Sequence, residues 1–219
     1  MAQTFVLIAT LWALLQRFGT TLISFSTNIV LARLLMPEDF GSIGMLLIFI
    51  AVANTFVDGG FGAALIQRSS ITQQDKSTVF FSNLGLSFFL YLFLFVTSPW
   101  IADFYATPLL SDLLRVQGLV LIIQAFGVVQ TALLSKSMDF KKISMSNLIG
   151  NVLGAITGIA LAYCGFGVWS LVAKTLATTL VTTILLWGLG GWCPSICFSF
   201  VSLKKLFGFG GFVFITTME

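Results

Sequence analysis

The sequence predicts an all-α polytopic transmembrane helix bundle, with six helices and the start of a seventh. Two observations support this fold class. Hydrophobic residues make up 58% of the 219 residues and charged residues only 9%, whereas a soluble domain carries about 25% charged residues. The apolar residues also form continuous runs of membrane-spanning length, without the alternation expected of a strand.

Six apolar segments are predicted to cross the membrane. The first has neither a basic leader region nor a small-residue cleavage site, so it is expected to persist as a helix rather than be removed as a signal peptide. The second starts at Pro37, which two acidic residues follow, a pattern typical of a helix N-terminus. The predicted helices cover 5–34, 38–59, 77–100, 113–134, 143–163 and 168–189.

These segments predict three units along the chain. Residues 1–189 form a six-helix transmembrane lobe, 190–202 a cytoplasmic linker, and 203–219 the truncated start of a seventh helix. Lys204 and Lys205 allow two interpretations of this region. They either begin an amphipathic segment on the inner leaflet or belong to a plain basic loop.

The basic residues of the loops predict the orientation. The loops after the second, fourth and sixth helices hold seven of them, whereas the other loops hold only Arg33 and Arg115. Because basic loops resist translocation, the richer side and the N-terminus are predicted to be cytoplasmic. The seven residues are Arg68, Lys76, Lys136, Lys141, Lys142, Lys204 and Lys205.

Polar residues recur at helical spacing on five of the six predicted helices. A polar stripe inside a bilayer must face protein or a water-filled space. A single stripe is commonly explained by helix packing, but stripes on five helices favour a hydrated central cavity. The stripes are Arg17, Thr21, Ser24 and Asn28; Asn54 and Asp58; Asn83, Ser87 and Tyr91; Gln117, Gln124 and Thr131; and Ser170, Lys174, Thr178 and Thr182.

The fifth predicted helix carries glycine at every fourth position, at Gly150, Gly154 and Gly158. This doubled GxxxG pattern permits close contact between helix backbones. Static packing is the favoured interpretation, and a sliding or hinge face is the alternative. Asn147 and Asn151 lie beside these glycines.

Neither catalysis nor a bound cofactor or metal is expected. The sequence contains no histidine, the commonest general base and metal ligand. Cys193 and Cys197 lack the spacing of a zinc site. The glycine-rich residues 59–62 lack the lysine and the preceding strand of a phosphate-binding loop. The scattered basic residues also argue against a nucleic-acid partner.

Four stretches resemble a known family. LARLLMPEDFGSIGM, followed by DGGFGAALIQR, resembles the start of the bacterial oligosaccharide flippases. These are O-antigen or exopolysaccharide transporters, known as polysaccharide biosynthesis proteins, of the multidrug/oligosaccharidyl-lipid/polysaccharide exporter superfamily. LLSKSMDFKK resembles the family's basic loop after the fourth helix, and GFGVWSLVAK its turn between the fifth and sixth helices.

The resemblance implies one lobe, the N-terminal one, of a two-lobe transporter. The implied activity moves undecaprenyl-diphosphate-linked oligosaccharide across the bacterial inner membrane without ATP. The implied partners are the lipid-linked oligosaccharide, membrane lipids, and a missing C-terminal lobe or a second copy. Two other classes stay open: a small-molecule or drug exporter of the same superfamily, and a membrane-embedded glycosyl- or acyltransferase.

Substrate-binding candidates come from the polar stripes. Arg17 is predicted to contact the diphosphate, because a guanidinium binds phosphate through two parallel hydrogen bonds. Asp58 is its predicted partner in the empty cavity. Lys174 either contacts substrate or extends to the outer headgroups. The full set is Arg17, Thr21, Ser24, Asn28, Asn54, Asp58, Asn83, Gln124 and Lys174.

Overall fold

The computed structural model describes residues 2–58, 62, 65–66, 71–197 and 199, without the side chains of 2–11, 13, 15 and 58. No strand occurs among these residues, so the predicted all-α fold class is confirmed. The described helices of nine or more residues are α1 (Ala2–Leu34), α2 (Pro37–Asp58), α3 (Gln73–Phe104), α4 (Leu109–Gln117), α5 (Leu119–Lys136), α6 (Phe140–Tyr163) and α7 (Trp169–Gly190).

Five segments within the described ranges are long and apolar enough to cross a membrane. They correspond to the second through sixth predicted helices, with α4 and α5 together forming one span. Helix α1 has 33 residues, so it is about 50 Å long and exceeds the ~30 Å hydrocarbon core. The predicted polytopic bundle is therefore confirmed.

The fourth predicted helix is divided at Gly118, where a single segment over 113–134 was expected. The Leu121 N–H donates to the Gly118 carbonyl at 3.0 Å, a three-residue spacing that is tighter than that of an α-helix. A Cβ on Gly118 would lie 3.0 Å from the Tyr91 ring. The absent side chain thus admits Tyr91 of α3 at the break between the two helices, which an apolar run alone does not predict.

Helix α6 lies between α1 and α7, and α5 lies between α3 and α7. Helix α2 contacts α3, α4 and α5 at the other side of the bundle. The largest buried cluster joins α2, α3, α4, α5 and α7 through aliphatic side chains. Its members include Leu46, Ile50, Val57, Leu94, Leu113, Leu114, Leu121 and Val172.

The glycine face of α6 packs against α7 at very short range. A Cβ built on Gly150 would lie 2.9 Å from the Thr178 carbonyl oxygen, and one on Gly154 would lie 2.8 Å from that of Lys174. Both obstacles are backbone atoms, so a larger side chain would have to displace α7. The close helix contact predicted from the GxxxG pattern is confirmed.

The chain after α7 folds back over the start of α3. The Gln73 amide donates to the Cys193 carbonyl at 2.9 Å, and the Trp192 indole donates to the Gln73 side-chain oxygen at 2.8 Å. The Ser195 N–H donates to the Ser77 hydroxyl at 3.1 Å. The described part of the predicted linker is therefore held against the lobe, whereas the predicted seventh helix lies outside the described residues.

Candidate functional site

A cavity of about 510 Å³ lies between α5, α6, α7 and two helical residues beyond α2, Gly62 and Ile66. Small-molecule sites commonly have volumes of about 300–1,000 Å³. Among its described lining residues none is charged, and nine are polar. These nine are Gln124, Thr131, Ser135, Asn147, Asn151, Thr178, Thr179, Thr182 and Thr183.

The cavity lies toward the end of the bundle that carries the α5–α6 turn. Its lining includes Ser135 in the last turn of α5 and Ile143 in the first turn of α6. Lys142 at this end pairs with Asp139 at 2.9 Å. The basic residues of this turn contribute to the prediction that this end is cytoplasmic.

Two primary amides line the cavity without a hydrogen-bond partner for their side chains among the described residues. They are Gln124 on α5 and Asn147 on α6. Each amide supplies two N–H donors and a carbonyl acceptor. Asn151 also lines the cavity and donates to the Asn147 main-chain carbonyl at 2.9 Å. The cavity therefore offers hydrogen-bonding capacity from two different walls.

Four of the five cavity threonines donate their hydroxyl protons to main-chain carbonyls, whereas Thr178 has no hydrogen bond among the described residues. Thr131 donates to Gly127 at 3.0 Å, and Thr179 donates to Thr175 at 3.0 Å. Thr183 donates across helices to Ile123 at 3.3 Å. A hydroxyl that donates its proton in a hydrogen bond still has oxygen lone pairs that can accept one. These three side chains can therefore accept hydrogen bonds from a ligand, but their protons are already engaged.

The predicted stripe of α1 does not line this cavity. Arg17, Thr21 and Asn28 are exposed on the surface of the lobe. Asn28 accepts a 3.0 Å hydrogen bond from the Lys174 ammonium, and a Cβ on Gly158 would lie 2.8 Å from the Lys174 Cβ. Lys174 therefore crosses the glycine face of α6 to reach α1.

Two further candidates, Asn83 on α3 and Asn54 on α2, lie outside the described cavity lining. Asn83 is fully buried in α3, and within the described part of the chain neither of its side-chain amide atoms has a hydrogen-bond partner. The Oδ1 atom of Asn54 is likewise buried, with no hydrogen-bond partner among the residues that the structure describes. Of the nine candidate residues, Gln124 is the one found in the described cavity lining.

The predicted Arg17–Asp58 pair involves a side chain outside the described residues, because Asp58 is described only as the last residue of α2. Helix α1 packs along α6. At this contact the Ser144 hydroxyl donates to the Gln16 side-chain oxygen at 2.9 Å, and a Cβ on Gly19 would lie 2.7 Å from Leu148.

Several cavity residues were not among the candidates from sequence. Asn147 and Asn151 stand four positions apart, one place along from the glycines of α6. Thr179 and Thr183 form a second row beside the predicted stripe of Thr178 and Thr182. Spacing of this kind marks a shared helix face, and it was the available signal for both pairs.

The chain is similar to proteins that are named for polysaccharide biosynthesis. It is 31% identical over 201 residues to the succinoglycan biosynthesis transport protein ExoT of Rhizobium meliloti (strain 1021), covering 91% of this chain and 41% of that protein. It is 32% identical over 165 residues to the teichuronic acid biosynthesis protein TuaB of Bacillus subtilis (strain 168), covering 73% and 34%. It is 28% identical over 190 residues to the lipopolysaccharide biosynthesis protein WzxC of Escherichia coli (strain K12), covering 84% and 38%.

The chain thus spans at most 41% of the length of these relatives. No solved structure matches it. The family described as polysaccharide biosynthesis protein matches residues 30–219. That match covers five of the apolar spans and the whole cavity lining, and it agrees with the resemblance found in the sequence. The chain is a multi-pass membrane protein that belongs to the polysaccharide biosynthesis protein family.

Proposed function

We propose that this lobe is part of a transporter that moves undecaprenyl-diphosphate-linked oligosaccharide across the bacterial inner membrane. The observation that carries the proposal is the polar cavity among membrane-spanning helices, with unpartnered amides at Gln124 and Asn147. The name of the succinoglycan relative, a biosynthesis transport protein, supports a transport role over an enzymatic one.

The physical barrier to this substrate is its headgroup. A sugar hydroxyl or amide that enters an apolar medium without a hydrogen bond costs about 2–7 kcal/mol. Amide and hydroxyl side chains along α5, α6 and α7 would replace part of the lost water. The lipid tail can stay in the bilayer, against the exposed apolar side chains of the helices. A cavity with polar walls in an apolar bundle suits such an amphipathic substrate.

A cation would stabilise the diphosphate, and Arg17 and Lys174 are two described basic residues that lie outside the cavity lining. Arg17 is exposed on α1, and the Lys174 ammonium donates a hydrogen bond to the neutral side chain of Asn28. We retain Arg17 as the primary diphosphate contact, because a guanidinium binds phosphate through two parallel hydrogen bonds. In this arrangement the N-terminus is cytoplasmic, and a C-terminal lobe or a second copy completes the substrate path.

A small-molecule exporter is the second candidate, and the cavity threonines are the observation that favours it. Their hydroxyl oxygens are acceptors, since their protons are held by main-chain carbonyls. Acceptor-rich walls also suit a cationic small molecule. The two candidates therefore differ in the molecule that the complete protein moves.

The test measures transport of lipid-linked oligosaccharide by the complete protein in vesicles. Gln124→Leu removes a cavity amide at nearly constant volume, and we expect it to reduce transport about tenfold, since about 1.4 kcal/mol of lost hydrogen bonding corresponds to that factor. Gln74→Leu, on the exposed first turn of α3, is the matched control and should transport normally. Export of a cationic dye without any movement of lipid-linked oligosaccharide would contradict the proposal and favour the exporter.

A further inference from the structure

We infer that the cavity binds the uncharged sugar rings of the transported glycan and that the diphosphate is bound outside it. This inference rests on the proposed function and assigns the two parts of the headgroup to different places. It is carried by the hydrogen-bonding state of the cavity side chains, together with the positions of Arg17 and Lys174.

Four of the five cavity threonines have engaged hydroxyl protons, which disfavours a phosphate group at these positions. Phosphate oxygens at neutral pH are predominantly acceptors, so they need donors. Thr131, Thr179 and Thr183 donate their protons to Gly127, Thr175 and Ile123. Their oxygens would therefore meet phosphate oxygens as acceptor against acceptor, an arrangement that is electrostatically repulsive.

The same walls suit a sugar ring. A sugar hydroxyl both donates and accepts, as the hydroxyl of serine or threonine does. It can donate to a threonine oxygen and accept from the unpartnered amide N–H groups of Gln124 or Asn147. These two amides lie on different helices, so a ring between α5 and α6 would find partners on both sides. A neutral polyhydroxyl ring can therefore pair with both the threonine acceptor oxygens and the amide N–H donors of this cavity.

The positions of the cations agree with this division. The described cavity lining holds no charged residue, whereas Arg17 and Lys174 lie outside it. Lys174 precedes Thr178, the first cavity residue of α7, by one helical turn, or about 6 Å along the axis. The charged part of the headgroup would therefore sit next to the cavity and not in it.

The experiment compares the binding of two lipids to the complete protein in nanodiscs. One is undecaprenyl diphosphate carrying a neutral oligosaccharide, and the other is undecaprenyl diphosphate without sugar. We expect Gln124→Leu to weaken binding of the sugar-bearing lipid about tenfold, by the loss of its amide hydrogen bonds. Binding of the sugar-free lipid should stay within about twofold of the wild-type value, a difference below about 0.5 kcal/mol.

A second variant keeps the side-chain shape. Asn147→Asp replaces the amide donors with a negative charge, which repels a diphosphate at short range. We expect it to weaken binding of the sugar-bearing lipid while leaving binding of the sugar-free lipid unchanged. A strong loss of sugar-free lipid binding in Asn147→Asp would place the diphosphate in the cavity and overturn the inference.

The outcomes also separate this inference from the proposed function. If the wild-type protein binds both lipids equally well, the function stands and the sugar subsite is wrong. If it binds neither lipid, the proposed function fails and the subsite fails with it. If Gln124→Leu weakens the binding of both lipids equally, that result would likewise contradict a sugar-specific role for the cavity.

Discussion

The ammonium of Lys174 lies 3.0 Å from the side-chain oxygen of Asn28, which joins α7 to α1 across α6. Its hydrogen-bond partner is a neutral amide, and no carboxylate within the described residues pairs with it. A charged side chain inside a membrane segment costs about 2.5–3.5 kcal/mol or more when it is not compensated. A cation retained at that cost is well placed to attract an anion.

The first prediction concerns this cation. Lys174→Met keeps a long apolar stem over Gly158 but removes the charge, so we expect normal membrane insertion and a marked loss of transport. Asn28→Ala removes only the resting partner and should reduce transport less. Both are measured as transport of lipid-linked oligosaccharide per inserted protein. Wild-type transport by Lys174→Met would mean that the lysine serves packing alone.

A second prediction distinguishes the geometry of the Arg17 guanidinium from its charge. Arg17→Lys keeps the charge but loses the planar pair of donors that matches phosphate. We expect it to insert normally and to lose most transport, as Arg17→Ala does, while Asp58→Asn is milder. If both Arg17 variants transport like the wild type, Arg17 is not the diphosphate contact.

The third prediction follows from the contact between α6 and α7. Gly154→Leu introduces a side chain where a Cβ already meets the Lys174 carbonyl at 2.8 Å, and overpacking costs about 1–3 kcal/mol or more. We expect a lower thermal unfolding temperature in detergent. Val152→Leu, on an exposed position of the same helix, is the control and should be mild. Equal stability of the two variants would refute the packing account.

The fourth prediction tests the orientation. Single cysteines, introduced into a protein without its native Cys164, Cys193 and Cys197, report which loops face the periplasm. A cysteine at Thr107, between α3 and α4, should react with a membrane-impermeant reagent added to cells. A cysteine at Lys141, at the start of α6, should react only after permeabilisation. The reverse labelling pattern would invert the topology.

Local patterns predicted most of the fold. Pro37 and its acidic neighbours placed the start of α2, and the glycine spacing predicted the α6–α7 contact that Gly154 makes. The break at Gly118 was not predicted, because glycine in an apolar run is compatible with a continuous helix. The ring of Tyr91, which lies 27 positions earlier in the sequence, packs closely against this glycine.

The candidate site was predicted less completely. Helical spacing identified polar faces, but it did not tell which faces meet the same space. Gln124 and Asn147 share the cavity because α5 and α6 converge beside α7. The stripe of α1 has an equally regular spacing, yet three of its four residues are exposed. It reaches α7 through Asn28 alone among the described contacts. Helix neighbours, which periodicity does not specify, decide this difference.

The most direct test of the central claim is photo-crosslinking from the cavity wall. A photoreactive side chain replaces Thr131, which lines the cavity, in the complete protein, and vesicles containing radiolabelled lipid-linked oligosaccharide are irradiated. We predict stronger labelling from this position than from the same side chain at Val152, because the exposed surface of α6 at Val152 would meet only the lipid tail. Labelling from Val152 but not from Thr131 would contradict a glycan-binding cavity.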